Sequence, residues 1–234
     1  MISLDALLAP DRLVDLTQPL GPDTVLWPGS TPFAATVVAD YETDGGYARE
    51  LMVPEHAGTH LDAPVHFAQG LPATDGIPLA ALVRPLVKLD VRERVGGGAT
   101  YELTAEAIEE IEAVDGAIPA GAAVLVHTGW EAYRADADRY GDAFPGLAPD
   151  AAALLVARGV AGVGIDTLGI DPAHADDFPA HRIILPAGLW QLEGLVNLVA
   201  VPSRGAWLVA AVIPLVAGSG APARVFAILP PAGV

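Results

Sequence analysis

The hydrophobic pattern is one of short apolar runs separated by Gly and Pro, the signature of a sheet-rich chain with few helices. Residues 12–17 alternate and read as a short strand, broken by Pro19, Gly21 and Pro22. Residues 33–39 and 49–53 read as strands on either side of a Gly45-Gly46 turn. Buried strands are expected over 86–91, 122–126 and 160–165, and further strands over 195–199, 207–216 and 224–229. Helical signals are fewer. A turn of helix is expected over 79–83, and Thr104 caps a helix to about Val114 whose wet side carries Glu106, Glu109, Glu110 and Glu112. Pro149 opens a helix that runs through Leu154 and Leu155 to Arg158 and stops at Gly159. A short helix over 178–185 carries His181. No repeat, low-complexity tract or linker interrupts this order, so the expectation is one mixed α/β domain spanning 1–234.

Composition narrows the class. With 234 residues, 52% hydrophobic and 18% charged, the chain can bury a full core. A net charge of −17 argues against nucleic-acid and anionic-membrane partners, which need a basic face. There are no cysteines, which excludes disulfides, thiolate metal sites and thiol nucleophiles. Residues 1–10 carry Asp5 and no early Lys or Arg, so they lack a secretory n-region. The most apolar run, 206–218, contains Pro214 and falls short of the roughly 20 residues of a membrane span. The expectation is a cytoplasmic protein.

Chemistry concentrates in one stretch, Pro54-Glu55-His56-Ala57-Gly58-Thr59-His60-Leu61-Asp62-Ala63-Pro64-Val65-His66-Phe67. Three of the six histidines fall within eleven residues, with Asp62 between the second and third. Imidazole nitrogen and carboxylate oxygen are ligands of divalent transition metals. Pro54, Gly58 and Pro64 rule out one regular helix. His60 and Asp62, two apart, share a side if the chain is extended, and Gly58 allows a tight turn around a common centre. A short irregular or helical turn opening into extended chain is expected here. Gly96-Gly97-Gly98 is a flexible connection and not a phosphate loop, because no Lys-Ser/Thr follows it.

The run His56 to Phe67 resembles the HxGTHxDxPxHF signature of the cyclase family, metal-dependent hydrolases that include bacterial kynurenine formamidase and isatin hydrolase. Trp27-Pro28-Gly29, Thr128-Gly129-Trp130, Gly164-Ile165-Asp166-Thr167 and Leu192-Glu193-Gly194 fall in the family's order, so the resemblance covers most of the chain. It implies a swivelling β/β/α domain, assembled as a homodimer or homotetramer. It also implies that His56, His60 and Asp62 bind one divalent metal ion, and that Asp62 with His181 and Glu193 holds a second. Glu193 would bridge or lie close to both ions. His66 matches the family's proton-transfer residue and Trp27 its substrate-contacting aromatic. Zn2+ is the expected ion, with Mn2+ as the alternative. His127 and His174 belong to none of these motifs and are expected at the surface or behind the ligands.

With no thiol and no Ser-His-Asp elbow, the nucleophile is best supplied as water activated on the metal. The function expected is hydrolysis of a C–N amide bond in a small molecule, either an aryl formamide such as N-formylkynurenine or a cyclic amide. The stretch Asp166-Thr167-Leu168-Gly169-Ile170-Asp171-Pro172 departs from the Thr-Pro-Ser type associated with true formamidases. A cyclase or dehydratase of a polyketide pathway on the same metal site is the second reading. A non-catalytic binding protein is the third.

Overall fold

Strands buried on both faces need apolar side chains on both, and three central strands show this in the computed structural model, which describes residues 9–231. They are β5 (Val83–Asp90), β7 (Ala123–His127) and β9 (Gly162–Ile165), which with β10 (Trp190–Glu193) form a parallel set in the order β5-β7-β9-β10. On one face Val87, Leu89, Val124, Val126, Val163 and Ile165 pack beneath three helices, α3 (Ala105–Asp115), α5 (Pro149–Ala157) and α6 (Pro179–Ile184). On the other, Leu86, Ala123, Leu125 and Leu192 point inward to meet Leu61, Leu208 and Val225.

That second face closes on itself. β4 (His60–Asp62) pairs antiparallel with β10 and with the start of β12 (Gly220–Ile228). β12 pairs with β11 (Trp207–Val212), and β11 returns to β5. The seven strands therefore form a closed ring, and β1 (Leu13–Asp15) adds outside it to β12. Closure leaves no free edge along β4, the strand that carries two of the motif's polar residues. Two smaller sheets lie apart: a hairpin of β2 (Ala34–Ala39) with β3 (Ala48–Met52), and the short pair β6 (Glu102–Leu103) with β8 (Gly146–Leu147). The remaining helices are single turns or nearly so: α1 (Leu79–Leu82), α2 (Arg92–Val95) and α4 (Ala137–Asp142).

The sheet-rich α/β class with few helices is as expected, and the ring with helices on one face supplies the architecture that the resemblance implied. Thr104 caps α3 as read, its Oγ1 accepting from the Ala107 N–H. One element was misplaced. Residues 195–199 are not a strand; Leu198–Ala200 form a 3-10 turn, and the strand is β10, just upstream. The apolar run hid the boundary, which Gly194 sets by turning left-handed at φ +65° directly after Glu193. Among the described residues no helix is long and apolar enough to cross a membrane. Residues 1–8, read above for a secretory signal, and 232–234 lie outside the described residues.

Candidate metal centre

The site is assembled where β4 and β10 run side by side. Their register sets Glu193 opposite His60 and Gln191 opposite Asp62. Two residues apart on an extended strand, His60 and Asp62 present their side chains to the same side, where Glu193 meets them. The motif loop is pressed against the end of β10 by two left-handed glycines. A Cβ on Gly194 would stand 2.5 Å from the Gly58 carbonyl oxygen, so neither chain could approach as closely with a side chain there. Thr59 closes the same contact, its Oγ1 donating to the Gly194 carbonyl at 2.6 Å.

His181 comes from α6 and completes a ring of four. His60 Nε2 is 3.3 Å from Asp62 Oδ1 and 3.4 Å from Glu193 Oε2. His181 Nε2 is 3.4 Å from Asp62 Oδ2 and 3.3 Å from Glu193 Oε1. Imidazoles and carboxylates thus alternate, with one oxygen of each carboxylate turned to His60 and the other to His181, and all four side chains are buried. His56 joins through the same carboxylate, its Nδ1 lying 2.6 Å from Asp62 Oδ1. His66 stacks on His56 with ring centroids 4.2 Å apart and stands exposed at the mouth.

Each imidazole is oriented from behind. His60 Nδ1 donates to the Gly58 carbonyl at 3.0 Å, which leaves Nε2 as the lone-pair nitrogen inside the ring. His181 Nδ1 is 2.5 Å from Asp171 Oδ2, and the other oxygen of Asp171 accepts from the Ala180 N–H at the start of α6. His56 Nε2 is 2.9 Å from Ser219 Oγ, whose hydroxyl donates to Glu55 Oε2 at 2.7 Å. Glu193 Oε1 accepts from the Ile170 N–H at 2.8 Å. Asp171 and Ser219 were missed in the sequence. Asp171 stands ten residues before His181 with no recognisable pattern, and Ser219 lies 163 residues from its partner His56.

Chemically, the ring fits a divalent cation. Ligand atoms at about 2.1 Å from a tetrahedral ion lie roughly 3.4 Å apart, the spacing of His60 Nε2 from Asp62 Oδ1 and Glu193 Oε2 and of His181 Nε2 from the other oxygen of each carboxylate. His60 Nε2 is fully buried and has no hydrogen-bond partner, a costly state for a polar atom unless something else occupies its lone pair. Burial opposes a proton on His60, yet Asp62 and Glu193 outweigh it and lift the pKa to about 10. Burial likewise opposes charge on His181, and Asp171, Asp62 and Glu193 overcome it, holding the pKa well above the usual range. Asp62 is held well below the carboxylate range against burial, by His60, His181 and His56. Protons and a metal ion compete for these same lone pairs. His66 is different: loss of solvation within the pocket lowers its pKa, with Asp62 pulling the other way.

A cavity of about 280 Å³ opens onto the ring, walled by Trp27, Phe67, Leu168 and Phe178. Trp27 meets Phe178 at 5.6 Å and Phe144 edge-on at 6.4 Å. Phe178 holds φ +48°, a backbone conformation that a bulky residue rarely adopts, and it places the ring into this wall at the cap of α6. All seven residues singled out from the sequence, His56, His60, Asp62, His66, His181, Glu193 and Trp27, are therefore gathered around one cavity. His174 is at the surface beside Glu102, whereas His127 is buried at the end of β7.

Comparison with known proteins places this geometry. The family model Cyclase, described as "Putative cyclase", matches residues 14–172. An isatin hydrolase of Roseibium aggregatum is 31% identical over 94% of this chain and 93% of its own length. A kynurenine formamidase of Salinibacter ruber is 33% identical over 91% of this chain and 95% of its own length. The crystal structure of an isatin hydrolase bound to the product analogue thioisatinate superposes with a TM-score of 0.91 at 29% identity, covering 96% of this chain and 95% of that one. On these matches, and with the motif residues converging on one centre, the chain belongs to the cyclase family.

Proposed function

We propose that this protein is a metal-dependent amidohydrolase that opens a small cyclic aromatic amide of the isatin type. The observation that carries the reading is the ring of His60, Asp62, His181 and Glu193 at the floor of an aromatic-walled cavity. At about 280 Å³ the cavity lies just below the roughly 300–1,000 Å³ of drug-sized pockets, so it suits a small flat substrate. The high structural similarity to an isatin hydrolase favours the cyclic amide. The kynurenine formamidase of comparable identity keeps aryl formamides as the second substrate class.

His56, His60 and Asp62 would hold one ion with Glu193 beside it, and His181 would hold a second across the other oxygens of Asp62 and Glu193. A bound divalent ion supplies Lewis acidity, lowering the pKa of water from about 15.7 to about 7 and polarising the substrate carbonyl. Nitrogen and carboxylate ligands without sulfur suit Zn2+, with Mn2+ as the alternative. His66, outside the ring and with its charged form disfavoured by loss of solvation, can take a proton from water. It can then return that proton to the departing nitrogen as the C–N bond breaks. Trp27 and Phe178 provide the faces against which a planar substrate stacks. Asp171, the Gly58 carbonyl and the Ser219–Glu55 pair fix the three imidazoles in the tautomers that point lone pairs inward.

The test is a substrate panel on metal-loaded protein: isatin, N-formylkynurenine and simple aryl formamides. Ring opening of isatin, faster than any formamide, is the expected outcome. A protein loaded with metal yet inert on every amide would sink the hydrolase reading and leave cyclase chemistry as the better account.

We further propose a homo-oligomer assembled through the β2–β3 hairpin. Both strands are exposed along nearly all of their length, with Val37, Val38, Leu51 and Met52 in water. A two-stranded hairpin is marginal by itself, and contiguous exposed apolar side chains mark a covered surface. Both roots of the hairpin reach the site, since Trp27 and Ser30 precede it and His56 follows. A second copy of this chain is the occupant that the family resemblance supplies. Light scattering should find a dimer or tetramer that Leu51→Lys with Met52→Lys converts to monomer. A wild-type monomer at micromolar concentration would refute this assembly.

A further inference from the structure

Among the described residues, buried imidazole nitrogens stand 3.3–3.4 Å from carboxylate oxygens in two places. One is the centre described above. The other lies at the carboxyl ends of β7 and β9. His127 ends β7, Asp166 follows β9, and Glu131 sits on the 3-10 turn Trp130–Tyr133 between them in sequence. His127 Nε2 is 3.4 Å from Glu131 Oε1, and one ligand atom from each of the three residues lies within 4.8 Å of the others.

Burial and the pairing of the carboxylates point to a ligand. His127 is 2% exposed; its Nδ1 is turned toward Asp90 Oδ2 at 3.7 Å, which leaves Nε2 as the nitrogen facing Glu131. Neither Glu131 nor Asp166 makes an ion pair with a Lys or Arg among the described residues; Arg92, which with Lys88 holds Asp90, acts on Asp166 only from beyond ion-pair distance. Asp166 is fully buried, and its Oδ1 accepts from both the Thr128 N–H and the Thr128 hydroxyl. Its Oδ2 has only a long contact from the Glu131 N–H at 3.4 Å. Two carboxylates are thus set side by side with one imidazole between them. A cavity of about 530 Å³, bordered by His127, Glu131 and Asn197 and, on its rim, by Arg92 and Arg134, gives access.

We propose that His127, Glu131 and Asp166 bind a divalent transition-metal ion at a site separate from the hydrolytic centre. One imidazole with two carboxylates selects Zn2+, Mn2+ or Co2+ over Ca2+ and Mg2+, which prefer oxygen ligands alone. Two positive charges match the two unpaired carboxylates. Asp90 stands behind the imidazole and favours the tautomer with its proton on Nδ1, so that Nε2 faces the ion. The role that follows is structural. Glu131 Oε2 also accepts from the Asn197 N–H, so the ion would tie the ends of β7 and β9 to the loop beyond β10. From Asp166 the chain runs directly into Leu168 and Gly169, which line the substrate cavity.

Equilibrium dialysis of the full-length protein against Zn2+, read by elemental analysis, tests this without reference to activity. His127→Gln and Glu131→Gln should each bind one equivalent fewer than wild type, whether the hydrolytic centre holds one ion or two, with far-ultraviolet circular dichroism unchanged. Equal stoichiometry in wild type and a folded variant would overturn the site. Should both variants fail to fold, the wild-type protein still decides: Zn2+ should shift the His127 ring nitrogen resonances to metal-bound values. A His127 ring that responds to pH but not to Zn2+ would show a protonated ion pair only, and the proposal would fall.

Discussion

Asp62→Asn is expected to strip the metal and abolish turnover. Among the described residues, Asp62 is the one side chain that touches His56, His60 and His181 together. The amide keeps its size but presents one neutral oxygen where the carboxylate presents two charged ones. A loss of about 10⁴ or more in kcat/KM corresponds to roughly 5.5 kcal/mol of transition-state stabilisation, within reach of removing a Lewis acid. Elemental analysis should find the hydrolytic centre empty, and chelator-treated wild type should match the variant in rate. Removing one partner from a buried charged cluster also costs on the order of 3–5 kcal/mol of stability, so the variant should melt earlier than chelated wild type. Activity within tenfold of wild type would show that Asp62 is not the shared ligand.

His66→Ala should separate from that result by keeping its metal. His66 stands at the mouth, stacked on His56, and lies outside the ring of His60, Asp62, His181 and Glu193. Its removal leaves those four side chains and their supporting hydrogen bonds in place. Loss of proton transfer is expected to lower kcat by about 10²–10⁴-fold with bound metal unchanged. The split between metal content and rate is the informative readout. If the variant also lost its ion, His66 would have to be counted among the ligands and another group would have to move the proton.

The two variants draw on parts of the site that were unequally visible in the chain. His56, His60, Asp62 and His66 lie within eleven residues, so local density and the Gly and Pro punctuation exposed them directly. His181 and Glu193 carry no such signal. His181 stands beside Arg182 and Glu193 between Leu192 and Gly194, with no second ligand type close by in sequence, and only the family resemblance set them beside the motif. Asp171 and Ser219 were beyond both routes, because their contribution is a hydrogen bond to the far side of an imidazole. The error over residues 195–199 has a related cause. Leu195, Val196, Leu198 and Val199 are apolar enough for a strand, but Gly194 turns left-handed and Asn197 follows at φ +60°. Short apolar runs do not report backbone sign.

His127 shows the same divide most sharply. In sequence it is one histidine at the end of an apolar run, with Glu131 four residues on and Asp166 far downstream. Parallel pairing of β7 with β9 puts the ends of both strands together and so makes neighbours of residues 39 apart in the chain. Apolar and polar periodicity determined the strand-rich class, most of the elements and the ligand types available, because those depend on near neighbours and side-chain chemistry. Closure of β4 against β10 and β12 decided which imidazole faces which carboxylate. It also decided how deep the metal ring lies and what walls the substrate meets, because those depend on strand register, which no local pattern encodes.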